Sequence, residues 1–290
     1  MESEAVIKPS EEKSGSAMNR GIMDFNLLLR VISAAVLAPL AVGAAWLGGW
    51  PFALFWTIAA GAVWWEWVHL VDSAVRRGML VAGLSAVILE GGFAAIGHPE
   101  MAVLLALLGA LAVAVVAVRN VLWTCTGFVY ASLMLIVPVF IREEVAQGFA
   151  VMLFLFAVVW ATDILGYFAG RAIGGPKLAV AISPKKTWAG AVGGSIGAIL
   201  AGAAVSVYAS GAPLRGAALA FLLSIAAQAG DLFESAVKRH FHAKDASTLI
   251  PGHGGVMDRL DGFIAAALAL VLIVLVQFGL SVSDRGLALW

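Results

Sequence analysis

The sequence predicts an all-α fold, a polytopic membrane helical bundle of about nine transmembrane helices, each built from roughly twenty mainly apolar residues. Three observations carry this prediction. The chain of 290 residues is 62% hydrophobic and 12% charged, with a mean hydropathy of +0.97, whereas soluble domains carry roughly 25% charged residues. Apolar runs of spanning length follow one another along the chain. The basic residues are also shared unequally between alternate connections, as expected when cytoplasmic loops collect Lys and Arg.

Residues 1–22 are polar, mixed in charge and without an apolar run, which predicts a disordered cytoplasmic tail and argues against a secretory signal peptide. Spans are expected near 28–48, 51–71, 78–97, 100–118 and 121–141, then near 148–170, 188–210, 214–238 and 260–280. The tight connections at Gly49-Trp50-Pro51 and His98-Pro99-Glu100 leave room for a re-entrant pair, so the count stays open by one either way. Residues 23–147 are read as N-terminal transmembrane helices and 148–290 as the catalytic transmembrane region of the same bundle.

With nine spans, the N-terminal tail and alternate loops share one side. They hold Lys8, Lys13, Arg20, Arg30, Arg76, Arg77, Arg119, Arg171, Lys177, Lys185, Lys186, Lys238, Arg239, Lys244 and Arg259, against Arg142, Arg215 and Arg285 on the other. This split predicts a cytoplasmic N-terminus and puts both long polar loops, 171–187 and 239–259, in the cytoplasm. A formal net charge of zero argues against a nucleic-acid partner. The single cysteine, Cys125, excludes an intrachain disulfide framework and a cysteine-built metal site. Gly190, Gly193, Gly194 and Gly197 fall roughly on one face of the seventh span, a pattern that predicts close helix packing.

The chemistry is concentrated in the second half. An ionisable group inside a span costs roughly 2.5 to 3.5 kcal/mol on insertion scales and therefore faces a protein interior or a wet cavity. On span eight, Gln228, Asp231, Ser235 and Lys238 recur at helical spacing on one face, with Glu234 beside it. Asp163, Tyr167 and Gly170 repeat the pattern on span six. Both stripes run toward the ends where the charged loops begin. A buried charge network that merely fixes packing is the competing reading, but so many carboxylates without equal basic partners would be costly to bury. Such carboxylates suit Mg²⁺, which is typically held by one or two of them together with substrate phosphates.

The basic element Lys177, then Ser183-Pro184-Lys185-Lys186-Thr187-Trp188, leads into span seven, with Thr187 as a candidate N-cap and the helix start as an anion site. Beside the carboxylates it points to a nucleotide or another polyphosphate. Between Asp245 and Asp258 lies Pro251-Gly252-His253-Gly254-Gly255, whose glycines permit a turn that folds back on the carboxylates. His240, His242 and His253 lack the compact ligand spacing of common zinc sites. His69 and His98 are read as structural or interfacial.

The run Ser235-Ala236-Val237-Lys238-Arg239, Lys244-Asp245, Pro251-Gly252-His253-Gly254-Gly255-Val256-Met257-Asp258-Arg259-Leu260-Asp261 resembles, position by position, the signature of the phosphatidate cytidylyltransferases, or CDP-diacylglycerol synthases. Weaker similarity extends from Asp163 to Gly194 and to Arg30-Val31-Ile32-Ser33 and Trp65-Glu66-Trp67. Leu165 and Val180 depart from the pattern, standing where a small residue and a proline are frequent.

The resemblance implies a multispanning enzyme of phospholipid biosynthesis that joins CTP and phosphatidate to give CDP-diacylglycerol and pyrophosphate. It implies that Asp231 and Asp258 bind Mg²⁺, with room for a second metal ion. Catalytic candidates are then Asp231, Asp258, Lys238, Arg239, Lys244, Asp245, His253, Arg259 and Asp261. Substrate-binding candidates are Asp163, Tyr167, Lys177, Ser183, Lys185, Lys186, Thr187, Glu234, Ser235, Gly254 and Gly255. The expected partners are CTP, phosphatidate and the membrane, homodimerisation is left open, and a bacterial cytoplasmic membrane is the expected location.

A polyprenol kinase or an archaeal-type lipid cytidylyltransferase would share this build, but the completeness of the 235–261 match speaks against both. A transporter or proton channel would place carboxylates in spans without needing the long glycine-bearing polar loop. The topology is open to direct test. With Cys125 replaced, a cysteine at Ser247 is expected to react with an impermeant thiol reagent from the cytoplasmic face only, and labelling from the outer face would overturn it.

Overall fold

The computed structural model describes residues 29, 31–72, 77–143, 147–209, 212–252 and 254–278. The tail 1–22, His253 and Arg285 lie outside the described residues. Among the described residues nine helices follow in order: α1 (Val31–Leu47), α2 (Gly49–Val71), α3 (Arg77–Ala95), α4 (Pro99–Val116), α5 (Val121–Glu143), α6 (Gly148–Ile173), α7 (Trp188–Ala209), α8 (Pro213–His240) and α9 (Met257–Phe278). Each overlaps one expected span. Among the described residues, α3 to α9 are the seven helices long and apolar enough to cross a membrane. Helix α1 is shorter, and α2 is diluted by five tryptophans, Glu66 and His69.

The two tight connections are ordinary helix boundaries. Between α3 and α4, Gly97 takes φ 81° and Pro99 opens the next helix, where its missing N–H costs nothing. Between α1 and α2, Gly48 and Gly49 take φ of 65° and 50°. The Arg142 Nε donates to the Ala45 carbonyl at 2.5 Å and Nη2 to that of Trp46 at 3.4 Å. The Gly49 N–H donates to Glu143 Oε1 at 2.8 Å. One of the three basic residues assigned to the sparsely charged side is thus committed to capping a helix C-terminus, where a cation is favoured. A Cβ at Gly48 would stand 2.6 Å from Arg142 Nη2.

The 171–187 segment is more ordered than the loop expected from sequence. It continues α6 to Ile173 and then forms a hairpin of β1 (Lys177–Ala179) and β2 (Ser183–Thr187), with Lys177 opposite Thr187 and Ala179 opposite Ser183. Proline is tolerated in so short a ribbon because it lies at an edge. Thr187 caps α7 as expected, its Oγ1 accepting the Gly190 N–H at 3.1 Å.

Helices α6 and α7 pack almost backbone to backbone through the expected glycine face. An added Cβ at Gly190 would lie 2.9 Å from the Gly166 carbonyl oxygen, and one at Gly194 would lie 2.7 Å from that of Thr162. Gly197 faces the Leu165 side chain, so the bulk at Leu165 is accommodated by the missing Cβ opposite it. The core is aromatic around α2. Phe52, Trp56, Trp64 and Trp67 are fully buried, and Phe263 of α9 stacks between Trp56 at 5.0 Å and Phe156 of α6 at 5.3 Å. This sandwich seats the start of α9 against both halves of the bundle.

Replacing Gly194 by valine is expected to force α6 and α7 apart at a cost of about 1 to 3 kcal/mol, read as a lower midpoint of thermal unfolding in detergent. Gly43→Ala, where nothing lies within 4 Å of the added carbon, is expected to leave that midpoint unchanged or slightly raised.

Candidate active site

The last turns of α8 carry an ion-paired cluster. Lys238 Nζ lies 2.5 Å from Glu234 Oε2, one turn back, and also pairs with Asp258 Oδ1 on the first turn of α9. All three are removed from solvent, Glu234 to 1% exposure and Lys238 to 8%. Two negative charges around one positive charge is a geometry in which each ion offsets part of the others' desolvation. A second pair lies nearer the surface, where Lys186 of β2 meets Asp231 Oδ2 at 2.5 Å. Ser235 Oγ donates to Asp231 Oδ1 at 3.5 Å.

The polar stripe on α8 continues inward through Gln228. Its amide nitrogen donates to Ser195 Oγ at 3.1 Å and Ser224 Oγ at 3.2 Å, joining α8 to α7.

Asp258 is aimed by the loop that precedes it. Its Oδ2 accepts the N–H of Gly255 at 2.8 Å and of Ala246 at 3.1 Å. Gly252 and Gly254 take φ of 76° and 88°, the left-handed region that the fold-back requires. Ile250 and Gly254 exchange backbone hydrogen bonds across the turn. At Gly255 an added Cβ would come within 3.0 Å of Asp258 Oδ2.

Helices α8 and α9 also meet through small residues beside the carboxylates. A Cβ on Gly230, next to Asp231, would stand 2.6 Å from the Asp261 carbonyl oxygen. Asp261 is within electrostatic reach of Asp231, Asp163 and Lys238, and Asp163 within reach of Asp231, Lys186 and Arg259. Three helices and the hairpin therefore bring Asp163, Asp231, Glu234, Asp258 and Asp261 together with Lys186, Lys238 and Arg259.

Other candidates stand apart from this cluster. Arg239 Nη1 donates to the Ala243 carbonyl at 2.6 Å and so closes the end of α8. Tyr167 is exposed, receiving a hydrogen bond from Arg171 at 3.1 Å. Lys177, Lys185, Lys244 and Asp245 are exposed and make no ion pair among the described residues. Ser183 serves the hairpin register.

Two side chains that sequence reasoning gave no role approach the site from the first half of the chain. Glu66 of α2 reaches the loop around Ser247 and Val256. Tyr130 of α5 has a buried hydroxyl without a hydrogen-bond partner among the described residues, within electrostatic reach of Asp261 and Glu234. For Glu66 a signal was available, since a carboxylate among tryptophans in an apolar run has the same cost as Asp163.

Fold and site together define a multi-pass membrane protein with a charged centre of carboxylates and lysines where its helices end. The chain belongs to the cytidylyltransferase family, whose profile matches residues 28–277. It is 41% identical over 263 residues to the phosphatidate cytidylyltransferase of Brucella abortus biovar 1 (strain 9-941), covering 85% of this chain and 93% of that protein. A Rickettsia bellii protein of the same name is 34% identical over 156 residues, 51% of this chain and 67% of that one. The Haemophilus influenzae protein of that name is 44% identical over 127 residues, 41% of this chain and 44% of its own.

Lys238→Met is expected to destabilise the protein by about 3 to 5 kcal/mol, because it leaves two buried carboxylates facing each other. Lys186→Met, at the more exposed pair, is expected to change the detergent unfolding midpoint little. Equal shifts in both variants would show that Lys238 does not hold the buried triad together.

Proposed function

We propose that this chain is a membrane-embedded phosphatidate cytidylyltransferase, transferring the cytidylyl group of CTP to phosphatidate. The observation that supports this most is the joining of two lysine–carboxylate pairs, Lys186 with Asp231 and Lys238 with Asp258, by elements that meet at one end of the bundle. Phosphatidate stays in the bilayer and CTP arrives from water, so a site at the helix ends serves both. The bacterial relatives support placement in a cytoplasmic membrane, with the hairpin and the 241–256 loop on the cytoplasmic side.

In the reaction, a phosphate oxygen of phosphatidate attacks the α-phosphorus of CTP. The bond from that phosphorus to the bridging oxygen of the β-phosphate breaks, and pyrophosphate leaves. The attacking phosphate is already ionised, so no strong base is required, and catalysis rests on positioning and charge neutralisation. Lys186 is placed to exchange Asp231 for a phosphate oxygen, since that pair is partly exposed. The N–H groups at the start of α7, just beyond Lys186, favour an anion in the same place. Lys238 is fixed by Glu234 and Asp258 and keeps positive charge beneath the site.

Five carboxylates stand near three cationic side chains, an excess of hard oxygen donors that fits a divalent cation. Mg²⁺ is commonly held by one or two carboxylates together with substrate oxygens. Asp231 has the greater free capacity, since Asp258 already receives Lys238 and two backbone N–H groups. Asp231 and Asp258 would hold the ion, which supplies charge neutralisation of the triphosphate when bound.

Purified protein is expected to release pyrophosphate only when CTP, phosphatidate and Mg²⁺ are all present. Asp231→Asn and Asp258→Asn are each expected to lower that rate at least about 10²-fold while remaining monodisperse in detergent. CTP-independent turnover of the lipid, or full activity in both variants, would refute the assignment.

A further inference from the structure

Glu66 lies in α2, in the half of the chain where the resemblance is weaker and assigns it no role, yet it is fully buried at 0% exposure. Its Oε1 accepts the Ser247 hydroxyl at 2.6 Å and the Val256 N–H at 2.7 Å, and its Oε2 accepts the Met257 N–H at 2.7 Å. No cation pairs with it among the described residues. Its charge is met instead by the two N–H groups at the start of α9, donors that a helix leaves unsatisfied and that favour an anion. Glu66 is therefore a cap supplied to α9 from another helix.

The partners of Glu66 interleave with those of Asp258. Asp258 takes the N–H groups of Ala246 and Gly255, and Glu66 takes Ser247 and Val256, the next residue in each case. The two arms of the loop are thus each gripped twice, once by a carboxylate on α9 and once by a carboxylate on α2. Gly255 passes between the two grips, where an added Cβ would stand 2.8 Å from Glu66 Oε1 and 3.0 Å from Asp258 Oδ2. Asp258 can align its carboxylate only against a loop that is itself fixed, and Glu66 is the part of the grip that does not move with α9.

We propose that Glu66 is a positioning residue for the reaction, holding Ser247, Val256 and Met257 so that Asp258 is presented to Lys238 and the triphosphate site. This rests on the cytidylyl-transfer reading for its catalytic meaning, and on the loop geometry alone for the clamp. The Glu66 carboxylate is buried and bonded to the loop, so its effect is on turnover through Asp258, with lipid affinity left as it is.

The test uses the full chain in detergent with Cys125→Ala and a reporter Thr248→Cys, an exposed position with no role in the site. Glu66→Gln keeps one acceptor oxygen for Ser247 and Val256 but turns an amide N–H₂ toward the Met257 N–H. It is expected to lower kcat roughly tenfold, and Glu66→Ala to lower it on the order of 10²-fold through misplacement of Asp258. The KM for phosphatidate is expected to stay unchanged, and the reporter thiol to react faster in the order wild type, Gln, Ala.

Wild-type kcat in both variants, or an unchanged thiol rate, overturns the proposal. So does a loss of activity matched by loss of the folded, monodisperse fraction in Glu66→Gln, which would make the residue merely structural. Failure of the unmodified protein to release pyrophosphate from CTP would instead remove the cytidylyl-transfer reading. The thiol rates would then still decide whether Glu66 clamps the loop.

Discussion

A lysine buried between two carboxylates is an uneasy object inside a membrane protein, and much of this structure follows from keeping one in place. Lys238 cannot be withdrawn without leaving Glu234 and Asp258 facing each other in a medium that screens charge poorly. Nor can either carboxylate be lost without exposing the lysine to the same penalty. The triad therefore ties the end of α8 to the start of α9. Everything that shapes the turn between them, from the left-handed glycines to the N–H groups on Asp258, serves to make that contact. Burial of this kind is weak support for stability and better understood as fixing one geometry.

The close packing on either side has the same purpose at the level of the backbone. Side chains of ordinary size would hold α6, α7, α8 and α9 some 8–10 Å apart at their axes. Glycines at positions 166, 190, 194, 230 and 262 allow closer approach, so that short aspartate side chains on different helices can act on one another. Aspartate places its carboxyl carbon only two bonds from Cα. A site made of aspartates is for that reason also a site made of glycines.

The helical bundle could be read from sequence because an apolar run of spanning length has few other structures open to it. The stripe on α8 was legible for a related reason, since a charge in such a run must face something polar, and Asp231, Ser235 and Lys238 at helical spacing show which way. The fold-back at 251–255 was written in its glycines. The β1–β2 hairpin was not legible, because strands of three and five residues containing proline and adjacent lysines show no alternation to read. Nor was the part played by Glu66, whose partners lie 181 to 191 residues away. Its cost was visible locally, but what it meets depends on how α2 and α9 pass each other in the folded bundle.

The span between Glu66 and the loop it grips also bears on how the protein is made. The chain is made from its N-terminus, so α2 is synthesised with a bare carboxylate long before α9 leaves the ribosome. Until then Glu66 has neither its N–H donors nor its serine, and Lys238 has only one of its two carboxylates. A nascent chain halted after α8 would hold most of its apolar mass in the membrane with its charged centre unfinished. Membrane insertion and the maturation of the centre are thus separate events in the life of the chain, the second deferred until the last described helix docks.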